Sequence, residues 1–164
     1  MAAKSMYDLF VNQLQDAYSA ETQLLRALPK MAKASHSEDL RAGFEHHLAE
    51  TRNHVSRLKH VCDQLNCSPS GNACEAMQGL VEEGEEIIGL GLEPEVQDAG
   101  LIAAAQKVEH YEMALYGALC AFAKRLGYSD IAVALHETLD EEKKADETLS
   151  RIAETQVNHL AVHA

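Results

Sequence analysis

The stretch that indicates the fold most clearly is DAGLIAAAQKVEHYEMALYGALCAFAKRL, at residues 98–126. Steps of three and four residues along it connect leucine, alanine, valine and phenylalanine into one apolar stripe, which is typical of an amphipathic α-helix. Glu109 and Glu112 interrupt this stripe near its middle. Because Asp98 suits the N-cap position and Gly127 suits a helix end, the sequence predicts a helix over about residues 98–126.

Three other long segments show the same helical periodicity, at about residues 5–34, 37–66 and 129–156. Ser5 is a suitable N-cap for the first of them. Pro29 lies inside this first segment and is expected to kink the helix or to end it early, because proline lacks a backbone N–H. With the segment described above, the sequence predicts four long helices.

The connection between the second and third helices is much longer than the other two. It covers residues 67–97 and contains a shorter helical stretch from Ala73 to Leu90. Connections in the order short, long, short are typical of ferritin-like bundles. The sequence therefore predicts an all-α fold, a ferritin-like antiparallel four-helix bundle with one long crossover that contains a short extra helix. We expect residues 1–164 to form a single domain, because this length supports one sizeable core.

The balance of charged residues argues against nucleic-acid binding. The chain has 26 acidic and 14 basic residues, a formal net charge of −12, and such a surface repels phosphate backbones. No apolar run approaches the roughly 18 residues needed to cross a bilayer, and residues 1–5 lack the apolar core of a signal peptide. We therefore expect a cytoplasmic protein that binds neither nucleic acid nor membranes.

No C-x-x-C pair occurs among the cysteines, so a structural zinc site is poorly supported. The cysteines are Cys62, Cys67, Cys74 and Cys120. Reduced and mostly buried thiols are the favoured interpretation. A zinc site built from the first three cysteines is the alternative.

The apolar stripes of all four helices are interrupted near their midpoints by acidic residues or histidine. In an antiparallel bundle of similar helices these midpoints lie at one level, so the side chains should converge in one layer of the core. The residues concerned are Glu21 in the first helix, His47, Glu50 and His54 in the second, Glu109 and Glu112 in the third, and Glu142 and Asp146 in the fourth.

Such a layer needs a source of positive charge. An isolated buried carboxylate costs many kcal/mol, and like charges at close range add to that cost. Few basic residues lie in these stripes, so internal ion pairs cannot neutralise the layer. Two divalent cations would do so, and carboxylate oxygens with one or two imidazoles suit iron or manganese better than zinc.

Within this site we expect Glu50 and Glu142 to bridge the two metal ions. Either His54 or His47 would supply the nitrogen ligand. The remaining ligands would be Glu21, Glu109, Glu112 and Asp146.

Other polar residues near these positions are interpreted as structural. Solvated surface positions are expected for Glu82, Glu83, Glu85, Glu86, Glu141 and Glu147. Tyr18, Tyr111 and Tyr116 lie within a turn of the expected ligands. For these tyrosines, core packing with a satisfied hydroxyl is favoured over a role as hydrogen-bond or electron donor to the site.

Several short motifs give the chain a resemblance to one known family. They are Asp16-Ala17 with Glu21, His47-Leu48-Ala49-Glu50-Thr51, Cys74-Glu75-Ala76-Met77 with Gly79-Leu80, Glu109-His110-Tyr111-Glu112-Met113-Ala114 with Tyr116, and Glu141-Glu142-Lys143 with Ala145-Asp146. On these residues the chain resembles, over nearly its whole length, the YciE/YciF-type ferritin-like proteins of bacteria, formerly the domain of unknown function 892. The resemblance implies a di-metal bundle that forms a homodimer and is linked to bacterial stress responses.

Three functions are compatible with these observations. The leading hypothesis is a di-iron or di-manganese protein that oxidises ferrous iron with O₂ or reduces peroxide. The second is a non-enzymatic dimeric stress-response bundle whose metal site is structural or vestigial, and the third is a helical adaptor without metal. Storage in a large shell is not expected, because no fifth C-terminal helix is predicted after Gln156.

Overall fold

The computed structural model describes residues 4–164, so the first three residues of the predicted domain lie outside the described part of the chain. Five α-helices make up most of it: α1 Met6–Ala34, α2 Glu38–Gln64, α3 Glu75–Gly89, α4 Pro94–Arg125 and α5 Ser129–Ile152. A π-helical turn, Ala153–Val157, and one last helical turn, Asn158–Ala161, extend α5. The all-helical class predicted from the sequence is confirmed, with no strand between residues 4 and 164. Over the same residues, no helix combines the length and apolar character needed to cross a bilayer.

The first two helices begin where the sequence predicts, because side-chain oxygens cap their free N–H groups. Ser5 accepts a hydrogen bond from the N–H of Asp8 at 3.0 Å. Ser37 accepts one from the N–H of Leu40 at 3.3 Å. Both serines have extended backbone, as is usual at a helix N-cap.

Pro29 lies inside α1, yet the helix does not end there. It continues to Ala34, and the turn beyond the proline buries Met31 and Ala32 in the core. Burial of an apolar face contributes more to helix stability than one lost backbone hydrogen bond removes. The prediction that α1 could end early is therefore wrong.

The start of α4 also differs from the prediction. The helix begins at Pro94, one turn before Asp98, because proline suits the first helical position and has no N–H that needs an acceptor. Asp98 does not cap its own helix. It is only 3% exposed, and its carboxylate accepts hydrogen bonds from the N–H of His36 at 2.9 Å and of Ser37 at 2.7 Å. Asp98 thus holds the turn between α1 and α2.

The long crossover contains the short helix that the sequence predicts. This helix, α3, is capped by Cys74, whose sulfur accepts a hydrogen bond from the N–H of Met77 at 3.4 Å. It packs against α1 and α4. The approach to α4 is close at Gly100, where an added Cβ would lie 2.9 Å from a methyl group of Ile87.

The four long helices surround an interior that consists of two apolar clusters. Contacts join α1 with α2, α4 with α5, α1 with α4 and α2 with α5. The first cluster includes Leu24, Leu40, Phe44, Leu101 and Ile152. The second cluster includes Phe10, Leu14, Leu58, Leu119 and Leu135. Each long helix passes from one cluster to the other at its acidic or histidine positions, so a polar layer divides the core.

Candidate metal centre

The polar layer is formed by six ionisable side chains from the four long helices. They are Glu21, His47, His54, Glu109, Glu112 and Glu142, and none is more than 4% exposed. Helical periodicity explains their placement, because residues three or seven positions apart lie on one face of a helix. His47 and His54 are seven apart in α2, whereas Glu109 and Glu112 are three apart in α4.

Within this layer, two groups of residues have potential ligand atoms close together. We call them the His47 group, made of His47, Glu109, Glu112 and Glu142, and the His54 group, made of Glu21, His54 and Glu142. In each group, one oxygen or nitrogen atom from every member lies within 4.8 Å of those from all the others. Because Glu142 belongs to both groups, the two groups adjoin each other.

His54 contacts carboxylates at both ring nitrogens. Its Nδ1 lies 3.3 Å from Oε1 of Glu21 and 3.1 Å from Oε1 of Glu142. Its Nε2 lies 2.9 Å from Oε2 of Glu141. Burial acts to lower the pKa of His54, but the hydrogen bonds and charges of Glu142 and Glu21 outweigh it and raise the pKa to about 11.

His47 has a similar environment at the other end of the layer. Its Nε2 lies 3.4 Å from Oε1 of Glu109 and 3.5 Å from Oε2 of Glu142, and its Nδ1 lies 3.3 Å from Oε2 of Glu50. Burial again acts to lower the pKa of this imidazole. The surrounding carboxylates, with Glu109 the strongest, outweigh burial and raise the pKa to about 9.

The pKa values of the carboxyl groups in the layer shift in two directions. Burial, together with the repulsion of Glu142, holds the pKa of Glu112 and of Glu109 well above the ordinary range. Burial also raises the pKa of Glu21. The pKa of Glu142 is lowered, since the two histidines outweigh the effect of burial. Burial and mutual repulsion therefore favour the neutral forms of Glu109 and Glu112, whereas the histidines favour the charged form of Glu142.

Tyr116 is buried and holds one carboxylate of the layer in place. Its hydroxyl donates a hydrogen bond of 2.5 Å to Oε1 of Glu21. Tyr111 points elsewhere: its hydroxyl donates to Oδ2 of Asp16 at 3.1 Å and lies 3.0 Å from the sulfur of Cys74. Both hydroxyls are satisfied, and the one of Tyr116 also orients a potential ligand.

Two of the expected ligands lie outside both groups. Glu50 is at the edge of the layer, where its carboxylate lies 3.3 Å from Nδ1 of His47 and 3.2 Å from Nε2 of His46. Asp146 is half-buried and accepts a hydrogen bond from the amide of Gln106 at 3.2 Å. Its other oxygen lies 3.2 Å from Nε2 of His110. Helical spacing places both residues close to the helix face that forms the layer. Their carboxylates, however, make the contacts just described at or outside its edge.

Glu141 contacts the layer, although the sequence analysis expects it to be solvated. Besides His54, its Oε2 binds Nη1 of Arg57 at 2.8 Å, and the same guanidinium donates to Oγ1 of Thr138 at 2.5 Å. Arg57 therefore holds the carboxylate of Glu141, which in turn contacts Nε2 of the buried His54. The sequence does indicate that Arg57 lies near this site, because Arg57 follows His54 by three residues and so lies on the same side of α2.

A small cavity lies against the His47 end of the layer. Its volume is about 60 Å³, and its lining includes His46, His47, Glu50, Glu109 and Lys144. The His46 side chain is 71% exposed, whereas that of His47 is only 5% exposed. A cavity of this size admits at least one molecule as small as water. The cavity is thus lined both by the exposed His46 and by the buried His47 and Glu109 of the layer.

Comparison with known proteins shows full-length similarity to one family. The model of the family described as "Domain of unknown function (DUF892)" matches residues 5–162. Protein YciF of Escherichia coli strain K12 is 46% identical over 162 residues, which is 98% of each chain.

Solved structures show the same similarity. The crystal structure of the E. coli stress protein YciF superposes with a TM-score of 0.92 at 46% identity, covering 95% of this chain and 99% of that one. YcfI from Rhodopseudomonas palustris gives a TM-score of 0.87 at 43% identity, covering 90% and 94% of the two chains. A protein from Xanthomonas campestris shares the fold, with a TM-score of 0.79 at 22% identity over 97% and 98% of the chains.

Proposed function

The chain belongs to the DUF892 family, and on that premise we propose that its polar layer binds two divalent cations, iron or manganese, within a ferritin-like four-helix bundle. We further propose that the metal-loaded protein oxidises ferrous iron with O₂ or reduces peroxide. The observation that carries the proposal is a set of eight buried oxygen and nitrogen atoms that lack a hydrogen-bond partner among residues 4–164. These atoms belong to Glu21, His47, His54, Glu109, Glu112 and Glu142.

The donor set fits a metal better than any alternative within the layer. Four of these atoms contact one another as ion pairs, Nδ1 of His54 with Oε1 of Glu142 and Nε2 of His47 with Oε2 of Glu142, whereas the other four have no ion-pair contact in the described part of the chain. Because a buried polar atom without a partner costs about 1–3 kcal/mol, the eight atoms together favour a compensating ligand. Both oxygens of Glu112 and of Glu142 are among them. Oxygen atoms with two imidazole nitrogens are ligands that suit iron and manganese.

The shared position of Glu142 supports two ions rather than one. The His47 group and the His54 group each supply a set of ligand atoms, and Glu142 contributes one oxygen toward each histidine. A carboxylate with this placement would bridge two neighbouring cations. The sequence analysis assigns bridging roles to Glu142 and Glu50. For the second bridge we propose Glu112 as an alternative to Glu50, because both of its buried oxygens lack a hydrogen-bond partner among the described residues, whereas Glu50 lies outside both groups.

The order of the helices supports the ferritin-like arrangement. Two helical hairpins, α1–α2 and α4–α5, are joined by a long crossover, and each long helix contributes at least one residue to the layer. This is the connectivity of bundles that hold two metal ions through glutamate and histidine side chains.

A bound pair of ferrous ions would supply the two electrons that, with two protons, convert one hydrogen peroxide into two waters while both ions become ferric. The residues of the chain perform the other tasks. The apolar clusters on both sides of the layer exclude bulk water, and Tyr116 orients Glu21. The cavity beside His47 would admit an oxidant of the size of O₂ or peroxide.

Burial of the layer supports a second candidate, a metal site that only stabilises the fold. Glu21, His54, Glu112 and Glu142 are all 0% exposed, and a purely structural site needs no access for substrate. The E. coli relative is described as a stress protein, which supports a stress-related role in either case.

We also propose that the chain acts in the cytoplasm and that it forms a homodimer. Sedimentation analysis would test the homodimer.

Anaerobic loading separates these candidates. Chelator-treated protein is titrated with Fe²⁺, bound iron is counted, and one peroxide is then added for every two irons. We expect about two irons per chain and their full oxidation, because two ligand groups are present. Glu142→Ala should abolish binding of both ions, because this residue belongs to both groups.

Glu147→Ala is the matched control, since Glu147 lies on the same helix but is exposed. It should bind and oxidise iron like the unaltered protein. Iron uptake without oxidation would favour the structural site. No uptake, combined with a Glu142→Ala variant that is more stable than the parent, would favour the metal-free adaptor.

A further inference from the structure

The end of α2 brings two cysteines together at a distance from the metal centre. The helix is closed by two backbone hydrogen bonds, from the N–H of Asn66 to the oxygen of Asp63 at 3.1 Å and from the N–H of Cys67 to the oxygen of Cys62 at 3.0 Å. Asn66 has a φ of 53°, the left-handed conformation that this Schellman type of helix end requires. At a helix end of this type, the residue that donates the second of these hydrogen bonds often packs its side chain against the residue that accepts it. Here those two residues are both cysteines.

The two side chains lie in one apolar environment. Cys62 is 0% exposed and belongs to the second apolar cluster, and Cys67 is partly buried and packs against the same cluster. Both are free thiols. Burial and the neighbouring Cys67 thiol raise the pKa of Cys62 to about 12. Because Cys62 is fully buried, Cys67 is the member of the pair that a solute reaches first.

We propose that Cys62 and Cys67 form a peroxide-sensitive dithiol that closes to an intramolecular disulfide at the end of α2. A disulfide needs Cα atoms roughly 4.4–6.8 Å apart. The direct backbone hydrogen bond between these two residues already brings their main chains into contact. Closure therefore needs rotation of the side chains and no unfolding of the helix.

The reaction balances with peroxide as the oxidant. The Cys67 thiolate attacks one peroxide oxygen, an S–O bond forms as the O–O bond breaks, and the departing hydroxide takes up a proton to become water. The sulfur of Cys62, after loss of its proton, attacks the resulting sulfenic acid. The S–S bond forms, the S–O bond breaks, and a second water leaves. Two thiols have then lost two electrons to one peroxide.

This reaction requires no metal ion, so it stands independently of the proposed metal centre. Cys62 lies eight residues beyond His54, about 12 Å along the helix. The same helix end is fastened to α1, because the hydroxyl of Tyr7 donates a hydrogen bond to the oxygen of Leu65 at 3.1 Å. A disulfide here would lock this end of α2 without entering the polar layer.

The test uses the reduced, chelator-treated full chain and one equivalent of hydrogen peroxide. We expect loss of two of the four thiols and a mass decrease of two hydrogen atoms. Proteolysis before Asp63, which separates the two cysteines, should give fragments that stay linked until a reductant is added. Cys120→Ser, which removes another buried thiol, should leave this reaction unchanged.

Two variants identify the roles of the pair. Cys67→Ser should keep all its remaining thiols, because the accessible sulfur is gone. Cys62→Ala should gain one oxygen atom at Cys67 and form no disulfide, because no second thiol is near. Oxygen addition to Cys67 in the unaltered protein without a disulfide, a disulfide between two chains, or no thiol loss would each overturn the proposal. Circular dichroism of both variants confirms that the helices are retained.

Discussion

Glu142 is the residue at which the two halves of the polar layer meet. Its carboxylate lies 3.1 Å from Nδ1 of His54 and 3.5 Å from Nε2 of His47. Against the effect of burial, Glu142 helps to raise the pKa of both imidazoles, and the imidazoles in turn lower the pKa of Glu142. The raised pKa of both histidines and of Glu109 and Glu112 favours the protonated forms of these groups. Binding of metal ions at this layer would therefore release protons.

A single hydroxyl deletion tests how much the layer depends on its orienting hydrogen bonds. Tyr116→Phe keeps the ring packed but removes the short hydrogen bond to Oε1 of Glu21, and leaves this buried oxygen only the longer contact with Nδ1 of His54 at 3.3 Å. We expect the free energy of unfolding of the metal-free protein to fall by about 2 kcal/mol. Denaturant titration measures this loss.

Tyr18→Phe is the control for this substitution, because Tyr18 lies on α1 outside the layer and is half-buried. Loss of the Tyr18 hydroxyl should change the free energy of unfolding by less than about 0.5 kcal/mol. Equal effects of the two substitutions would show that the hydrogen bond to Glu21 contributes nothing specific.

At the scale of the elements, Asp98 links α4 to the turn between α1 and α2. It accepts two backbone N–H groups of that turn, next to the N-terminus of α2, where a negative charge also interacts favourably with the helix dipole. A connection of this kind fixes the position of α2 relative to α4. The relative position of these helices in turn sets the distance from His47 to Glu109, which is 3.4 Å.

We expect Asp98→Ala to lower the free energy of unfolding by about 3 kcal/mol, because two buried backbone donors lose a charged acceptor. Hydrogen exchange should also become faster at His36 and Ser37. The matched control is Asp63→Ala, since Asp63 is an exposed carboxylate near a helix end. That change should stay within about 0.5 kcal/mol. A loss in Asp98→Ala no larger than in the control would contradict the assigned role.

At the scale of the whole molecule, the polar layer separates two apolar clusters that provide the folding free energy. The layer itself opposes folding unless protons or cations neutralise it. The overall charge of −12 would favour cations near the protein at low ionic strength. We therefore expect the stability of the molecule to depend on pH and, if the layer binds metal as proposed, on metal concentration.

The metal-free protein should lose stability as the pH rises above about 6.5. The raised pKa values of His47, about 9, and His54, about 11, mean that their stabilising effect is complete below the ordinary value of 6.5 and is lost as the pH passes through the raised values. Glu109 and Glu112 act in the same direction, because their pKa is also raised. Between pH 6 and pH 9 the loss from His47 alone is on the order of 3 kcal/mol.

Acid conditions should also destabilise the protein, since the lowered pKa of Glu142 gives a contribution that disappears as the pH falls below the ordinary 4.5. Denaturant titrations near pH 6 and pH 9, with and without Mn²⁺, measure the dependence. With the metal bound the trend should reverse, because cation binding releases protons and strengthens with pH. A metal-free protein that is more stable near pH 9 than near pH 6 would contradict this coupling.

Much of the fold could be predicted because its signals are local. The helices begin at capping serines and follow apolar stripes, and those signals act within a few residues of the chain. The start of α4 was placed too late because Asp98 looks like an N-cap, whereas its partners are backbone groups 61 and 62 positions earlier. No local pattern distinguishes a carboxylate that caps its own helix from one that caps a distant turn.

The candidate site shows the same limit. Periodicity assigned a helix face to Glu21, His47, Glu112 and Glu142, and the structure brings these side chains into one layer. It also assigns Glu50 and Asp146 to that face, but Glu50 lies at the edge of the layer between His46 and His47, and Asp146 bonds to Gln106. Periodicity does not predict the contact between Glu141 and His54, because Glu141 lies beside the predicted apolar stripe of α5. Its long side chain nevertheless brings the carboxylate to Nε2 of His54.

By itself the sequence determined the all-helical class, the order of the helices, the family and the presence of an acidic and histidine level in the core. Each of these follows from spacing along one helix or from residue identity. Only the tertiary structure decided which carboxylates share a histidine, that Glu142 joins both groups, and that Cys62 meets Cys67. These depend on how neighbouring helices rotate against each other, on which rotamer a long side chain adopts and on how a helix closes, and packing of the complete core determines all three.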